Sequence, residues 1–492
     1  MIYFVTKNKK FFNSPNYKII SVDKSLEIMG TWKLYEFDTE TSGLDCHIDK
    51  LLLIQFGNLK ANIQIVVDVS CVDIRIYKSF IESNFMIGQN LKFDIKFLFN
   101  YGITPRRVYD TMIAEQFIYL GFPPGVIRYG LNHIAKRRLN IDIDKTIRDQ
   151  IITKGINDSV IVYAANDVKY LEKIMIQQVK HCKSRGMMKG LELECLFVPP
   201  IAYLEWCGIK LSEEKWKEKI KEDRDKLDNS LEDLNNYFRK YLSRFPQFIL
   251  PDLFKGYIIT LNWSSSTQVI EVFKELGFDT SVEDKKNGGF KDSVQEKVIK
   301  GQKGIDDEFL KKYLKYKEYD KVCSTYGQNY LNAINPNTGR IHTEFRQLGT
   351  TSGRMACGSS KVNSSLARIK GLPTKKQQDN TKHCGYPQLQ NLPANRATRE
   401  AFVSEEGNYM LSCDYSALES RLGADIYQEE AMIEEFLHGS GDMHSLAAKA
   451  CFPEELDGVN VKDVKKLRPD LRTKAKSPEF AIQFRLLTVN FD

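Results

Sequence analysis

Five side chains between residues 38 and 167 have the types and spacing for metal-assisted cleavage of a phosphodiester. Asp38 and Glu40 stand two apart at the end of TWKLYEFDTE, a stretch of period-two alternation. Residues i and i+2 of a strand share a face, so both carboxylates project to one side. Asp94 follows the apolar run FMIG within GQNLKFDIKFL and is expected in the first turn of a helix. Tyr163 and Asp167 lie four apart in YAANDVKYL, on one face of a helix. Converging carboxylates repel one another unless cations sit between them, and hard divalent ions such as Mg²⁺ take such oxygen ligands. A pair of such ions activates a water and stabilises the leaving oxygen of a phosphodiester. A phenol beside them orients the attacking water. Alone, D-x-E at a strand end is commonly a solvated edge and Y-x-x-x-D a helix surface. The ordered set, in matching context, is what specifies the chemistry.

Elements that would position these groups can be read around them. Residues 1–185 alternate short β-rich runs (LLLIQFG, IQIVVDV) with helical patterns at 91–100, 110–120 and 159–180, which indicates an α/β domain with a mixed sheet. Residues 186–340 change character, and EEKWKEKIKEDRDKLDNSLEDLNNYFRKYL reads as long, solvent-facing helices. From 341 to 455 the pattern is mixed again, with YMLSCDYS read as a strand and ALESRLGADI as the helix after it. The polar, basic segment around KVNSSLARIKGLPTKKQQDNTKHCG is read as a long loop, 359–386. Its cations Lys361, Arg368, Lys370, Lys375, Lys376 and Lys382 face one acid, Asp379, and are expected near phosphates or solvent.

Composition sets bounds. A chain of 492 residues fits two or three domains, and 42% hydrophobic with 27% charged residues is ordinary for a globular protein. A net charge of +7 permits a polyanionic partner. No apolar run reaches the ~18 residues needed to span a bilayer. The start, MIYFVTKNKK, lacks the apolar core of a signal peptide, and the ten cysteines show no C-x-x-C pair, so an intracellular, cytoplasmic protein without a membrane association is expected.

FDTETSGLD, IGQNLKFD and YAANDVKYL resemble the DEDDy exonucleases of the ribonuclease H-like superfold. The resemblance implies that Asp38, Glu40, Asp94 and Asp167 bind two ions, Mg²⁺ or Mn²⁺. It implies that Tyr163 orients the water, that Asn90 contacts DNA or supports the site, and that Thr41 lends a supporting contact. Lys92 is as readily a solvated lysine. Downstream, TYGQNYLNAINPNTGRIHTEFRQLGTTSGRM resembles the thumb-to-palm passage of bacterial and phage family A DNA polymerases. Arg354 in TSGRM, and Gln390 and Asn391 in YPQLQNLP, match positions that contact DNA. SCDYSALESRLGADI is similar to motif A of that family, D-Y-S-x-x-E-x-R. By that match Asp414 and the backbone of Tyr415 bind the metals of nucleotidyl transfer. Glu419 crowds the sugar 2′ position, and Arg421 pairs with an acid to hold the turn. His444 in GDMH would meet the incoming triphosphate. LRTKAKSPEFAIQF resembles motif B, and its Arg472, Lys476, Phe480 and Phe484 recur every four residues on one helix face.

The implied architecture is α/β plus α: a ribonuclease H-like exonuclease domain at 1–185 followed by a partial right-hand polymerase domain. Its parts are a helical thumb at 186–340, part of the palm at 341–455 and the start of the fingers at 456–492. Phe484 stands where the family has tyrosine, Arg485 where it has glycine, and Pro478 lies inside the motif B helix. None of the seven histidines is followed by Asp, as a His-Asp-Glu-like motif C requires. Synthesis from primer–template DNA and dNTPs is therefore expected to need a C-terminal polymerase fragment, in trans or by splicing. A stand-alone exonuclease with a DNA-gripping polymerase remnant is the alternative.

Overall fold

A computed structural model describes the chain except residues 124, 144–154, 255, 285–287, 301, 303–304, 373–383 and 484–492. It divides into two units, Met1–Glu406 and Gly407–Asp492. No described helix is long and apolar enough to cross a membrane.

The first unit starts with seven strands: β1 (Ile2–Val5), β2 (Lys18–Ile19), β3 (Leu34–Thr41), β4 (Leu51–Asn58), β5 (Ile63–Asp68), β6 (Phe85–Gly88) and β7 (Val108–Asp110). They form one sheet in the order β2-β1-β5-β4-β3-β6-β7. β4 runs antiparallel to β3 and β5, and the other neighbours are parallel. This is the mixed sheet read from the alternation. β3 shows what the alternation achieves. Tyr35 and Phe37 are fully buried in a core with Trp32, Phe56, Tyr77 and Leu91, each contributing about 2 kcal/mol through burial. Glu36, Asp38 and Glu40 take the opposite face, towards the helices Asp158–Val168 and Leu171–Ser184. The single helix expected at 159–180 is thus two. The break leaves an unbonded N–H at Glu172, in the first turn of the second helix, and this N–H donates to Glu36 Oε1 at 2.9 Å.

β8 (Ile209–Leu211) precedes the helix Glu213–Phe238, whose buried residues Trp216, Lys219, Asp223, Leu227, Ser230, Leu234 and Phe238 recur every three to four positions. With the helix Asp307–Thr325 it encloses a core of Phe238, Trp263, Phe273, Phe309 and Tyr313. The region is not purely helical. β9 (Ile249–Asp252) pairs with β10 (Gly256–Ile259), and β11 (Ser281–Glu283) with β12 (Phe290–Asp292).

β13 (Ile334–Asn335), β14 (Arg340–Ile341), β15 (Phe345–Arg346), β16 (Ala356–Cys357), β17 (Ser359–Val362), β18 (Gly385–Tyr386) and β19 (Phe402–Val403) follow. A small sheet in the order β13-β14-β8-β19 ties four distant stretches together. The boundary expected at 340/341 falls inside β14 of that sheet. The stretch expected as one long loop is partly regular. β17 pairs with β18, and between them lies the helix Ser364–Lys370. Asn363 caps that helix through the Leu366 N–H, and Gly371 closes it at φ 62°. Lys375, Lys376, Asp379 and Lys382 lie outside the described residues.

The second unit consists, among its described residues, of the helices Leu418–Tyr427, Glu430–Leu437, Met443–Cys451, Val461–Leu467 and Pro469–Gln483. Ala448, Leu456, Val464, Leu471 and Ala475 form its core. YMLSCDYS is not a strand here. It is irregular and exposed. A strand must hand its N–H and C=O groups to a neighbour, and the described part of this unit offers only helices.

Candidate active site

A cavity of about 550 Å³ opens on the acidic face of β3. Asp38, Glu40 and Asp167 meet there, with one carboxylate oxygen of each within 4.8 Å of the others. The β3 alternation supplies the first two, and the helix Asp158–Val168 supplies Asp167 with Tyr163 one turn before it. Tyr163 hydrogen bonds to Asp167. Burial, then the charges of Asp167, Glu40 and Asp38, push its phenol far above the ordinary range. The hydroxyl therefore keeps its proton. Glu36, next on the same face, is fully buried. Burial pushes its pKa up to about 8, partly offset by the Glu172 N–H.

Asp94 was expected as the fourth member of the cluster. It lines the cavity from the first turn of the helix Leu91–Phe99. It stands outside the trio, and its Oδ1 accepts the Thr39 hydroxyl. Burial raises its pKa to about 7, with the Thr39 hydroxyl opposing. Three carboxylates with a fourth at hand make an all-oxygen donor set of the kind divalent cations take.

Asn90 lines the same cavity in a left-handed conformation, φ 61°. A residue missed in the sequence holds it there. Asp110 is fully buried and accepts the N–H groups of Asn90 (3.0 Å), Leu91 (2.7 Å), Met112 (2.8 Å) and Ile113 (3.2 Å). One carboxylate thus caps two helices, Leu91–Phe99 and Thr111–Ile118. The signal was present as D-T-M-I-A-E-Q-F, an Asp just before a helical apolar pattern, which is an N-cap signature. Lys92 is not a solvated lysine. It and Lys96 each lie 2.7 Å from the buried Glu205. Burial alone would raise Glu205, but Lys96 and Lys92 outweigh it and hold the carboxyl below its ordinary range.

Arg354 is exposed, and Gln390 donates to the neighbouring Met355 carbonyl at 3.2 Å. Asn391 lines a cleft of about 1310 Å³ in the helical region, together with Lys291, Lys300, Lys311, Lys315, Lys317 and Lys321. These lysines are scattered over thirty positions and gave no motif.

In the second unit Asp414 and Tyr415 are exposed, and Glu419 lies in the first turn of its helix. Arg421 holds that turn by donating to the Ser416 carbonyl at 3.1 Å and lies over the Phe436 ring at 4.4 Å. His444 and Lys476 are half-buried. Arg472 is engaged within the protein: it forms a bidentate pair with Asp442, both contacts 2.9 Å. The helix backbone runs through Pro478 to Gln483, whereas the Phe480 side chain and all of Phe484 lie outside the described residues.

The family model for DNA polymerase family A matches residues 230–489, more than half of the chain, and that for a 3′-5′ exonuclease matches residues 25–178. The chain belongs to DNA polymerase family A. It is 29% identical to DNA polymerase I of Borreliella burgdorferi over 95% of its length and 46% of that protein. To DNA polymerase I of Aquifex aeolicus it is 26% identical, over 84% of its length and 62% of that protein. The chain thus spans about half the length of the curated relatives it matches. Among solved structures it is similar to the POL domain of Pol1 from M. smegmatis in complex with DNA primer-template and dNTP. The TM-score is 0.68 at 19% identity, over 98% of this chain and 71% of that one. This family A member thus pairs a ribonuclease H-like exonuclease fold with a polymerase fold.

Proposed function

We propose that this chain removes nucleotides from the 3′ end of DNA at the β3 cleft, as the proofreading part of a template-directed polymerase. The observation that carries the reading is the meeting of Asp38, Glu40 and Asp167 beside Tyr163. These carboxylates, with Asp94, would hold two divalent ions, Mg²⁺ or Mn²⁺. Bound there, the ions would supply an activated water and neutralise charge on the phosphodiester. Tyr163, kept protonated by its surroundings, would orient that water. Asn90 would touch the strand end at the cavity wall, and Thr41 would support the end of β3.

For synthesis we assign Asp414 and the Tyr415 backbone to metal binding and Glu419 to sugar discrimination. His444, Arg472, Lys476, Phe480 and Phe484 are assigned to the dNTP, and Arg354, Gln390 and Asn391 to primer–template DNA. The primer-template and dNTP bound by the M. smegmatis domain support these partners. Residues 1–185 are assigned to the exonuclease, 186–340 to the thumb, 341–455 to the palm and 456–492 to the fingers. The setting would be the cytoplasm of a bacterium or of a phage-infected cell.

A single-stranded oligodeoxynucleotide incubated with the protein and Mg²⁺ tests the cleft. The wild type should shorten it from the 3′ end, and Asp38→Ala with Glu40→Ala should abolish shortening while DNA binding persists. Shortening by the double variant at the wild-type rate would refute the assignment. A second reading, an exonuclease whose polymerase part only grips DNA, is favoured by the exposed, irregular setting of Asp414 and the engagement of Arg472 by Asp442. Primer extension with and without a C-terminal polymerase fragment added in trans separates the two.

A further inference from the structure

The described residues of the segment 359–386, which follows the TSGRM stretch and precedes YPQLQNLP, are fastened to the loop directly after β3. Asn363 Nδ2 donates to Asp45 Oδ2 at 2.8 Å, and Arg368 Nη2 lies 2.9 Å from Asp49 Oδ1. The Ser365 hydroxyl donates to Asp49 Oδ2. Leu366, Ala367 and Cys384 pack against Ile48 in a small core. Lys370 is committed as well, donating to the carbonyls of Leu331 and Asn332 at 3.2 and 2.9 Å. Arg368 and Lys370, both expected near phosphates or solvent, thus anchor the described part of the segment.

The anchoring sets Lys361 and Tyr386 into the wall of the carboxylate cavity, with Asp38, Glu40, Tyr163 and Asp167. Charge makes this placement informative. Among the described residues the cavity walls carry Asp38, Glu40, Asp94, Asp167, Glu205 and Glu344 against three lysines, Lys92, Lys96 and Lys361. Lys92 and Lys96 are both spent on Glu205 at 2.7 Å. Lys361 is exposed. It also lines an adjoining cavity of about 500 Å³ walled by Tyr119, Phe122, Tyr129 and Arg346. Aromatic rings with nearby cations are surfaces on which single-stranded bases stack. A DNA strand entering the acidic cavity brings a negative phosphate with every nucleotide, and Lys361 stands where the two cavities meet.

We propose that Lys361, at the start of this basic segment, is a positioning residue that holds a backbone phosphate of the strand whose 3′ end lies at the carboxylates. The proposal rests on the exonuclease reading above. It assigns to a segment within the polymerase motifs a share in strand binding at the other site.

Steady-state degradation of a single-stranded oligodeoxynucleotide with Mg²⁺ tests it. One solvent-exposed hydrogen bond to a phosphate, of ordinary net strength, corresponds to a rise in KM of about 5–10-fold in Lys361→Ala, with kcat within about twofold. The slope of log(kcat/KM) against log salt should flatten by about 0.7. Lys361→Arg should restore both. An exposed site makes misfolding no competing cause. An unchanged KM and slope in Lys361→Ala, or a fall in kcat alone, overturns the proposal and leaves the exonuclease reading standing. Wild-type protein that leaves the oligonucleotide intact, or a Asp38→Ala, Glu40→Ala variant as active as wild type, overturns both.

Discussion

Replacing Asp110 by alanine should loosen the exonuclease fold and its cleft together. The carboxylate is fully buried and accepts four backbone N–H groups at 2.7–3.2 Å. Alanine leaves the first turns of two helices without their cap. A lost N-cap costs ~1–2 kcal/mol, and the Leu91 and Ile113 donors are buried, so the sum over two helices is about 3 kcal/mol. For a region of roughly 150–250 residues each kcal/mol lowers Tm by ~2–4 °C, giving a fall of about 6–12 °C. Asp110→Asn separates charge from capping. Its oxygen can keep the Asn90, Met112 and Ile113 bonds made by Oδ1, but its amide turns an N–H towards that of Leu91, which now bonds Oδ2. That variant should lie between the two, about 1–2 kcal/mol below wild type. The same helix carries Asp94 and starts at Asn90, so 3′ degradation should fall in the order wild type, Asp110→Asn, Asp110→Ala. A melt of Asp110→Ala within 1 °C of wild type, on the order of 0.3 kcal/mol, would refute the double-cap argument.

Two further tests address the junction between the large sheet and the residues after 340. Glu205→Gln strips the buried partner from Lys92 and Lys96. Leaving buried ammonium groups uncompensated costs about 3–5 kcal/mol, to be read as a lower urea midpoint. An unchanged midpoint would mean that solvent already neutralises the lysines. His342 packs 4.0 Å from His47, and burial, then the His47 charge, lowers its pKa to about 4. The unfolded chain takes up that proton near pH 6.5 and the folded chain only near pH 4. Stability should therefore be complete above pH 6.5 and decline as pH falls towards 4, by up to about 3 kcal/mol. His342→Gln should flatten the decline, measured as Tm against pH, and an equally steep profile would exclude His342 as its source.

Local pattern revealed what depends on neighbours in sequence. Asp38 and Glu40 were legible because period two dictates which side a strand residue faces, and Tyr163 with Asp167 because a helix turn does. The Glu205 pairs were not legible, since Lys92 and Glu205 meet across 113 positions and neither belongs to a pattern. The 359–386 segment reads as a loop by composition, yet its helix was signalled by Asn363 and Gly371, a cap at each end. The expected strand at Tyr409–Ser416 failed for the converse reason: alternation prepares a strand, but a neighbour must complete it.

The small sheet β13-β14-β8-β19 sets a timetable for biosynthesis. β8 emerges early, but its partners on either side, Arg340–Ile341 and Phe402–Val403, are made far later. At translation rates of roughly 5–20 residues per second, Leu211 waits about 10–40 s for Phe402. During that interval the nascent chain carries an open β-edge, a surface that invites pairing with other chains. A ribosome pausing in this window would lengthen the time that edge stays uncovered, so codon choice between 212 and 402 should affect soluble yield more than codon choice after 403.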